Sequence, residues 1–353
     1  MQPPRPTSIS NFAVTYRCNG RCQTCGIWRT SDPGKGEMVL DEIEVLLSEN
    51  RGFLRDVTSI QVTGGEPYLR EDLPELIHAI RGHLPRTNIW IPTNGLTPRR
   101  IESATREMLQ DADGRHLGVS VSMDGIRDTH DAIRGIEGSF DRAVETLRRL
   151  RSLREEHAGL RVSVGMTVTN ENHGGLPEVW SLARTHGVDF SFRPVNFSDL
   201  YYRNRGASPT PSDCAERLLP TLQSMGKALI EKKGLRRALT NLRYMQGALD
   251  YIREPGGRRL PCRAASASFF LDPYGNVYPC LFIEDALGNV KDESLSKIWS
   301  SKAAGEARAM ISRGVCPGCW VECEVYREII NDRMGLLGTA LNAVLRPGTA
   351  GIS

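Results

Sequence analysis

The sequence predicts an α/β fold, a partial (β/α)6 TIM-like barrel followed by a small C-terminal domain. Two observations predict it. Apolar strand-like runs alternate with helically spaced apolar residues over about the first 200 of the 353 residues, and polar or glycine-rich residues follow nearly every run. Regular alternation is typical of parallel strands joined by crossover helices. Six units would leave the barrel open on one side, with the strand C-termini forming the functional face.

The elements of this barrel follow one another along residues 11–196, after an N-terminal tail over residues 1–10. The predicted strands are the runs 12–16, 57–62, 88–91, 117–121, 160–168 and 188–192. The predicted helices lie between them, over 40–47, 71–83, 98–110, 139–156 and 176–186.

Three further segments follow the predicted barrel. A turn-rich loop and two helical stretches predict a helical connector over 197–260. An auxiliary domain is expected over 261–340, with a hairpin whose turn is Asp272-Pro-Tyr-Gly-Asn276. The glycine, alanine and proline content of residues 341–353 predicts a disordered tail.

Composition narrows the partners and the compartment. The formal net charge of +3, with 25% charged residues, is too small a basic bias to indicate a nucleic-acid partner. No apolar run reaches the length of a membrane helix, and the N-terminus lacks the apolar core of a signal peptide. We therefore expect a cytoplasmic protein without a membrane partner, whose cysteines stay reduced unless they bind metal.

Eight of the nine cysteines fall into two groups, and only Cys214 stands alone. The first group, Cys18, Cys22 and Cys25, has the spacing C-x3-C-x2-C on the loop after the first strand. Thiolates on one short loop can converge on a single soft metal centre. A structural zinc site takes four protein ligands, whereas a 4Fe–4S cluster held by three cysteines leaves one iron open. Unrelated thiols, or zinc with a distant fourth ligand, are the alternatives.

The second group lies near the C-terminus and comprises Cys262, Cys280, Cys316, Cys319 and Cys323. Clustering of this kind favours metal sites over disulfides. The segment Cys316-Pro-Gly-Cys319 also fits a zinc knuckle, so a zinc ribbon is the alternative to an iron–sulfur site.

The cysteine loop, Gly64-Gly65-Glu66-Pro67 after the second strand and the half-closed barrel together resemble the radical S-adenosylmethionine (SAM) enzymes over about residues 11–195. The resemblance implies that the three front cysteines hold a catalytic 4Fe–4S cluster whose open iron is chelated by SAM. A flavodoxin- or ferredoxin-type donor would supply one electron. SAM then yields methionine and a 5′-deoxyadenosyl radical, which abstracts a substrate hydrogen. A non-enzymatic electron carrier would need no SAM pocket, so the Gly-Gly-Glu-Pro segment counts against that alternative.

The resemblance also implies where SAM is bound. It assigns the segment Gly64–Pro67 to the methionine amino group, and other strand ends supply further candidates: Thr93, Asn94, Ser122, Asp124, Arg134, Thr167 and Arg193. Arg134 would meet the SAM carboxylate, which a guanidinium suits; a solvated surface arginine is the alternative. Thr24 stands where many relatives have an aromatic residue, so we expect adenine contact from residues 26–28.

The C-terminal cysteines resemble a SPASM or shortened "twitch" domain, a module that binds auxiliary 4Fe–4S clusters. Five cysteines cannot fill two four-ligand clusters, so one auxiliary cluster is expected. Cys262, Cys280, Cys316 and Cys319 match the short pattern best. Cys323 is then a spare thiol, or it displaces one of the four.

The expected substrate is a small molecule of sugar or nucleoside type in natural-product biosynthesis. Only 17 residues precede Cys18, which leaves no room for an N-terminal peptide-recognition domain. A peptide or protein substrate with a separate recognition partner is the alternative, and dehydrogenation, decarboxylation and epimerisation stay open. Cys214 is either a hydrogen-atom donor or a buried helix thiol. The loop after the sixth strand either binds substrate or is merely solvated; its residues of interest are Tyr201, Tyr202, Arg203 and Arg205.

Overall fold

The computed structural model describes residues 3–31, 33–110, 116–206, 210–256 and 259–353. Within these ranges one sheet has the order β6-β5-β4-β3-β2-β1-β7-β8-β9. Its strands are β1 (Ser8–Thr15), β2 (Ser59–Gly64), β3 (Asn88–Thr93), β4 (Leu117–Ser122), β5 (Leu160–Val168), β6 (Asp189–Pro194), β7 (Ser268–Leu271), β8 (Asn276–Tyr278) and β9 (Gly288–Asn289). Strands β1 to β6 pair in parallel, which confirms the predicted α/β class.

The helices cover the outer face of this sheet and build the C-terminal part. They are α1 (Leu40–Glu49), α2 (Arg51–Leu54), α3 (Leu73–His83), α4 (Pro98–Met108), α5 (Asp128–Arg134), α6 (Ser139–Glu156), α7 (Leu176–Thr185), α8 (Cys214–Lys233), α9 (Leu235–Arg253), α10 (Leu295–Trp299), α11 (Lys302–Ser312), α12 (Glu322–Asn331) and α13 (Arg333–Leu345). Among the described residues, no helix combines the length and apolarity that a membrane span needs.

The two faces of the parallel sheet differ in chemistry. In β4, Leu117, Val119 and Val121 are fully buried in the core beneath the helices. The alternate residues Ser120 and Ser122 line an interior cavity, which we call the lumen, of about 640 Å³. Closed (β/α)8 barrels fill such inward positions with valine, isoleucine and leucine. Small polar residues leave the inside of this barrel hollow.

The C-terminal domain extends the barrel sheet. Strand β7 pairs in parallel with β1, with Ser8 opposite Ser268 and Phe12 opposite Leu271. Strands β7 and β8 then form the predicted hairpin, whose turn is held by Asp272, since its Oδ1 accepts from the Tyr274 and Asn276 amides at 2.9 and 2.8 Å. The domain is thus attached by main-chain hydrogen bonds to the strand that leads into the front cysteines.

Two predicted boundaries are corrected. Strand β1 begins at Ser8, inside the predicted tail 1–10, because β7 supplies its partner. The expected disorder of residues 341–353 is not what the structure has: α13 runs to Leu345, and Ala350 and Ile352 are buried. These two side chains pack where Gly226 of α8 leaves room. Tertiary packing of the chain end therefore outweighs its loop-like composition.

Candidate functional site

The C-terminal ends of the barrel strands enclose a cavity, which we call the SAM-site cavity. Almost all of the predicted front-site residues border it: Cys18, Cys22, Cys25, Gly64, Gly65, Glu66, Thr93, Asn94, Ser122, Asp124, Arg134, Thr167 and Arg193. Pro67 is the exception, since it is buried at the start of the short turn Pro67–Leu69 and does not line the cavity. Trp28 and Ile27, expected near the adenine, also border the cavity.

The cysteine loop brings its thiols together. A β-carbon added at Gly20 would lie 3.4 Å from Cys22 Sγ and 3.6 Å from Cys18 Sγ, so these two sulfurs face one point. The Gly20 amide also donates to Cys18 Sγ at 3.4 Å. The loop is anchored on the end of α5, where Arg21 N donates to the Arg134 carbonyl at 3.0 Å. Local backbone geometry therefore places three thiols at one cavity wall.

The front cysteines are partly buried, and burial affects the ionisation of two of them. Burial raises the pKa of Cys18 to about 12 and that of Cys25 to about 11. Thiolates are the species that ligate metal, so a bound metal centre must displace these protons. Among the described residues, no fourth cysteine and no histidine lines this cavity. The donor set therefore fits a centre held by three thiolates with one coordination position left for another ligand.

Arg134 stands between a carboxylate and a thiol. Its Nη2 lies 2.8 Å from Asp124 Oδ2, and its Nη1 lies 3.7 Å from Cys22 Sγ. Its side chain is 13% exposed, and its buried Nε has no hydrogen-bond partner in the described part of the chain. The solvated alternative for Arg134 is therefore wrong, and a donor is available beside the cysteine loop.

The glycines of the Gly64–Pro67 segment lie close to the chain's own backbone. A β-carbon at Gly64, where φ is +133°, would lie 2.0 Å from the Thr15 carbonyl oxygen. One at Gly65 would lie 2.2 Å from that of Arg17. The Gly65 amide donates to Thr15 at 2.8 Å. Glycine is needed here because the segment packs against the chain's own cysteine loop.

Glu66 joins two strand ends. Its carboxylate accepts from Thr93 Oγ1 at 2.8 Å and from the Asn94 amide at 2.7 Å. Burial raises the pKa of Glu66 to about 7, although these hydrogen bonds oppose the shift. The carboxylate thus fixes the end of β3 against the segment after β2.

His130 was not singled out by the sequence, yet it supports Asp124. The Asp124 amide donates to His130 Nδ1 at 3.1 Å, and Asp124 Oδ1 accepts from the Thr167 amide at 2.9 Å. His130 is fully buried, and its Nε2 has no hydrogen-bond partner among the residues that the structure describes. Burial, with the nearby Arg134 charge, lowers the pKa of His130 to about 4.

We expect the His130→Asn variant to lose less folding stability in mild acid than the unmodified chain. The folded-state pKa of about 4 lies below the ordinary 6.5, so the unfolded chain binds this proton more tightly. The stability associated with neutral His130 is therefore fully present above pH 6.5 and falls as the pH drops towards 4. Between pH 7.5 and 5 the loss is about 2 kcal/mol. Asparagine keeps an acceptor for the Asp124 amide and does not titrate.

Urea unfolding of the apoprotein at pH 7.5 and 5 measures this difference. The matched control is His116→Asn, because His116 is exposed; this variant should lose as much stability in acid as the unmodified chain. An equal acid loss in His130→Asn would contradict the role assigned to His130.

The C-terminal cysteines enclose a second cavity, which we call the auxiliary cavity. Four of them line it: Cys262, Cys280, Cys316 and Cys319. The Ala264 amide donates to Cys262 Sγ at 3.3 Å. Burial raises the pKa of Cys280 to about 12, against the effect of a hydrogen bond from the Phe282 amide. Amide hydrogen bonds to cysteine sulfur are a means by which proteins tune iron–sulfur centres.

Cys323 lies apart from these four. It borders the lumen, and its Sγ accepts from Asn11 Nδ2 at 3.4 Å. Helix α12 presents one face to the lumen, since Glu322, Tyr326 and Ile330 line it as well. Of the two expectations for Cys323, the spare thiol therefore has the support of geometry.

The remaining predicted features separate into two sets. Tyr201 and Tyr202 border the SAM-site cavity. Arg205, in contrast, pairs with Asp199 at 3.0 Å on the exposed surface, and Arg203 Nη1 donates to Thr30 Oγ1 at 2.7 Å. Cys214 is buried at the start of α8 and lines neither the lumen, the SAM-site cavity nor the auxiliary cavity, so of its two interpretations the buried helix thiol has the support of geometry.

Several residues of the SAM-site cavity were missed by sequence reasoning. They include Asn11, Gln61, Thr63, Pro92, Val195 and Asn196. The first four lie on strands, and only the inward alternation of strand residues could have indicated them.

No set of three Cys, His, Asp or Glu side chains in the described ranges is arranged to hold a single metal ion.

Comparison with known proteins agrees with this geometry. Residues 12–179 match the family model of the radical SAM superfamily, and residues 262–324 match that of the SPASM iron-sulfur cluster-binding domain. The chain is 30% identical to the mycofactocin maturase MftC of Mycobacterium tuberculosis over 332 residues, which cover 87% of this chain and 74% of that protein. The chain belongs to the radical SAM superfamily.

One further relative and one solved structure are similar to this chain over different shares of its length. The chain is 31% identical over 209 residues to the Fe-coproporphyrin III synthase of Methanosarcina barkeri; the match covers 59% of this chain and 47% of that protein, about half its length. A solved structure, native anSMEcpe with bound AdoMet and Cp18Cys peptide, superposes with a TM-score of 0.63 at 15% identity. The superposition covers 96% of this chain and 98% of that one, and it shows a common fold.

The two family matches indicate which cofactors this chain uses. A radical SAM domain uses a 4Fe–4S cluster together with SAM, and a SPASM domain holds an auxiliary iron–sulfur cluster, so both expected cluster types are confirmed. Cys18, Cys22 and Cys25 would hold the front cluster, which when bound would supply the electron for cleavage of SAM to methionine and a 5′-deoxyadenosyl radical. The residues described above determine what this radical can reach.

Proposed function

We propose that this radical SAM enzyme abstracts a hydrogen atom from a small polar molecule held in the lumen. The supporting observation is that the SAM-site cavity and the lumen adjoin, because both are lined by Gln61, Pro92, Ser122, Thr167 and Arg193. A molecule in the lumen would therefore meet SAM at this common boundary. A flavodoxin- or ferredoxin-type protein is the proposed electron donor.

The chain's own residues have distinct parts in this proposal. Cys18, Cys22 and Cys25 hold the catalytic cluster, and the unpartnered Nε of buried Arg134 donates to the SAM carboxylate. Asp124 orients Arg134 through their 2.8 Å ion pair. The remaining predicted contacts, at Gly64, Gly65, Glu66, Thr93, Asn94, Ser122, Thr167 and Arg193, form the walls around SAM.

We propose dehydrogenation as the net reaction, over decarboxylation and epimerisation. The supporting observation is the position of α12, which separates the lumen from the auxiliary cavity. Glu322 and Cys323 face the lumen, while Glu324 of the same turn lines the auxiliary cavity. A substrate radical in the lumen would lie near the auxiliary cysteines Cys262, Cys280, Cys316 and Cys319, which suits the loss of a second electron.

A peptide substrate is the second candidate. A maturase is among the relatives, and the structural neighbour was solved with a peptide bound. The lumen, with about 640 Å³, would then receive one side chain of the peptide while the remainder lies at the barrel mouth.

Deuterium transfer distinguishes the two candidates. The reconstituted enzyme is incubated with SAM, dithionite and either ring-deuterated sugars and nucleosides or deuterated peptides, and 5′-deoxyadenosine is analysed by mass spectrometry. We expect deuterium in 5′-deoxyadenosine from a sugar or nucleoside. Transfer from peptides alone would overturn the small-molecule proposal, and absence of 5′-deoxyadenosine in every incubation would overturn the radical chemistry.

A further inference from the structure

Trp90 of β3 is a large aromatic side chain inside the barrel. Its indole is 41% exposed although it lies within a central strand, and it lines the lumen. Trp90 is paired with Gly118 of β4, and a β-carbon at Gly118 would lie 2.1 Å from Trp90 Cε3. The indole therefore lies against bare backbone. The neighbouring strand fixes its orientation, and its remaining surface is shared between the lumen and a second cavity lined by α7, α8 and α9.

Serine hydroxyls surround the space beside this indole. Ser120, Ser163 and Ser191 line the lumen on β4, β5 and β6. A β-carbon at Gly165 would lie 3.0 Å from Ser120 Oγ and 3.8 Å from Ser191 Oγ, so these hydroxyls flank an uncovered stretch of backbone. None of the three serine hydroxyls has a hydrogen-bond partner within the described part of the chain. Hydroxyls in such a cavity bond to water or to a ligand.

The charges that line the lumen are already paired. Arg193 lies 3.7 Å from Glu322, and Arg327 lies 3.3 Å from Glu328 and also contacts Glu324. A ligand with several negative charges would have to compete with these carboxylates. The lumen is therefore better suited to a neutral, hydrogen-bonding ligand than to a polyanion.

The depth of Trp90 in the barrel sets a minimum length for a ligand that contacts both Trp90 and the boundary with the SAM-site cavity. Trp90 precedes Pro92, which lines both the lumen and the SAM-site cavity, by two strand positions. At about 3.3 Å per residue, Trp90 lies roughly 7 Å below this boundary. A ring stacked on Trp90 is thus too deep to carry the carbon attacked at the SAM boundary, which must belong to a second part of the ligand.

Resting on the proposed function, we propose that the lumen binds a neutral, polyhydroxylated molecule with two linked rings, whose inner ring stacks on Trp90. The apolar face of a sugar or base ring suits an indole, and the ring hydroxyls would bond to Ser120, Ser163 and Ser191. The outer ring then presents its C–H bond at the boundary with SAM. Glycosides and nucleosides both have this chemistry.

Saturation-transfer NMR on the reconstituted holoenzyme tests the proposal without SAM cleavage. The probes are maltose, uridine and trialanine. We expect ring-proton saturation for maltose or uridine and none for trialanine, and the probe that responds identifies the source. In Trp90→Ala this signal should fall at least fivefold, whereas Trp90→Phe should keep most of it. The matched control Trp299→Phe, in α10 and away from the lumen, should leave it unchanged.

A second variant and an independent assay separate the outcomes. Ser191→Ala removes one hydroxyl and adds no bulk to the lumen, so the ring signal should fall severalfold while the iron content is unchanged. The inference is overturned if neither ring probe is saturated, if the signals persist in Trp90→Ala, or if trialanine alone responds. Formation of 5′-deoxyadenosine is measured separately, so the lumen inference can fail while the proposed radical chemistry stands.

Discussion

Cys22→Ala reduces reductive SAM cleavage by roughly a thousandfold or more, because the front cluster needs all three thiolates of its loop. Cys22 is the thiol that lies 3.7 Å from Arg134 Nη1. Alanine removes a metal ligand and also leaves that guanidinium without its sulfur partner. We expect the variant to keep the auxiliary iron and to lose about four of roughly eight iron atoms. Iron analysis and quantification of 5′-deoxyadenosine by liquid chromatography measure the two effects.

The control for this experiment is Cys214→Ala. Cys214 is buried in α8, away from the three cavities, so this variant should keep its iron and its SAM cleavage. Cleavage by Cys22→Ala at the rate of the unmodified chain would mean that the front cluster has been assigned to the wrong residues.

Cys262→Ala and Cys323→Ala should differ sharply in iron content. Cys262 lines the auxiliary cavity with Cys280, Cys316 and Cys319, whereas Cys323 lines the lumen. We expect Cys262→Ala to lose about four iron atoms and substrate turnover while keeping SAM cleavage. Cys323→Ala should keep its iron. Mössbauer spectroscopy of iron-57 enriched protein distinguishes loss of one cluster from partial damage to both.

The reverse result would change the ligand assignment. If Cys323→Ala loses four irons and Cys262→Ala loses none, Cys323 replaces Cys262 as a ligand. Serine variants at both positions provide a check on folding, because serine keeps the size of the buried side chain.

Local sequence was sufficient to predict that the front residues converge on one cavity. Cys18, Cys22 and Cys25 share one short loop, so their spacing alone implies convergence. Residues at the ends of parallel strands meet at one edge of the sheet whatever the lengths of the connecting helices. Thr93, Asp124 and the others therefore reach one cavity as expected.

Contacts between distant residues were beyond prediction. In the pairing of β1 with β7, Ser8 lies opposite Ser268, although the two residues are far apart in the sequence. No local sequence pattern in either strand indicates that they pair. Cys323 follows Cys319 by four residues, and its place in the lumen depends on where α12 begins and which face it turns inward. The sequence predicted iron–sulfur clusters at both cysteine groups, but it did not indicate where the spare thiol lies.

The pairing of β1 with β7 also makes the two domains inseparable in practice. A chain shortened to end near residue 260 would lack β7, and β1 would become an edge strand with unpaired amides and carbonyls, a surface prone to self-association. The same truncation would remove α12 and open the lumen along its side to water. The auxiliary domain of this chain thus forms one wall of the lumen as well as holding iron, and exchanging it between family members would alter what the barrel can enclose.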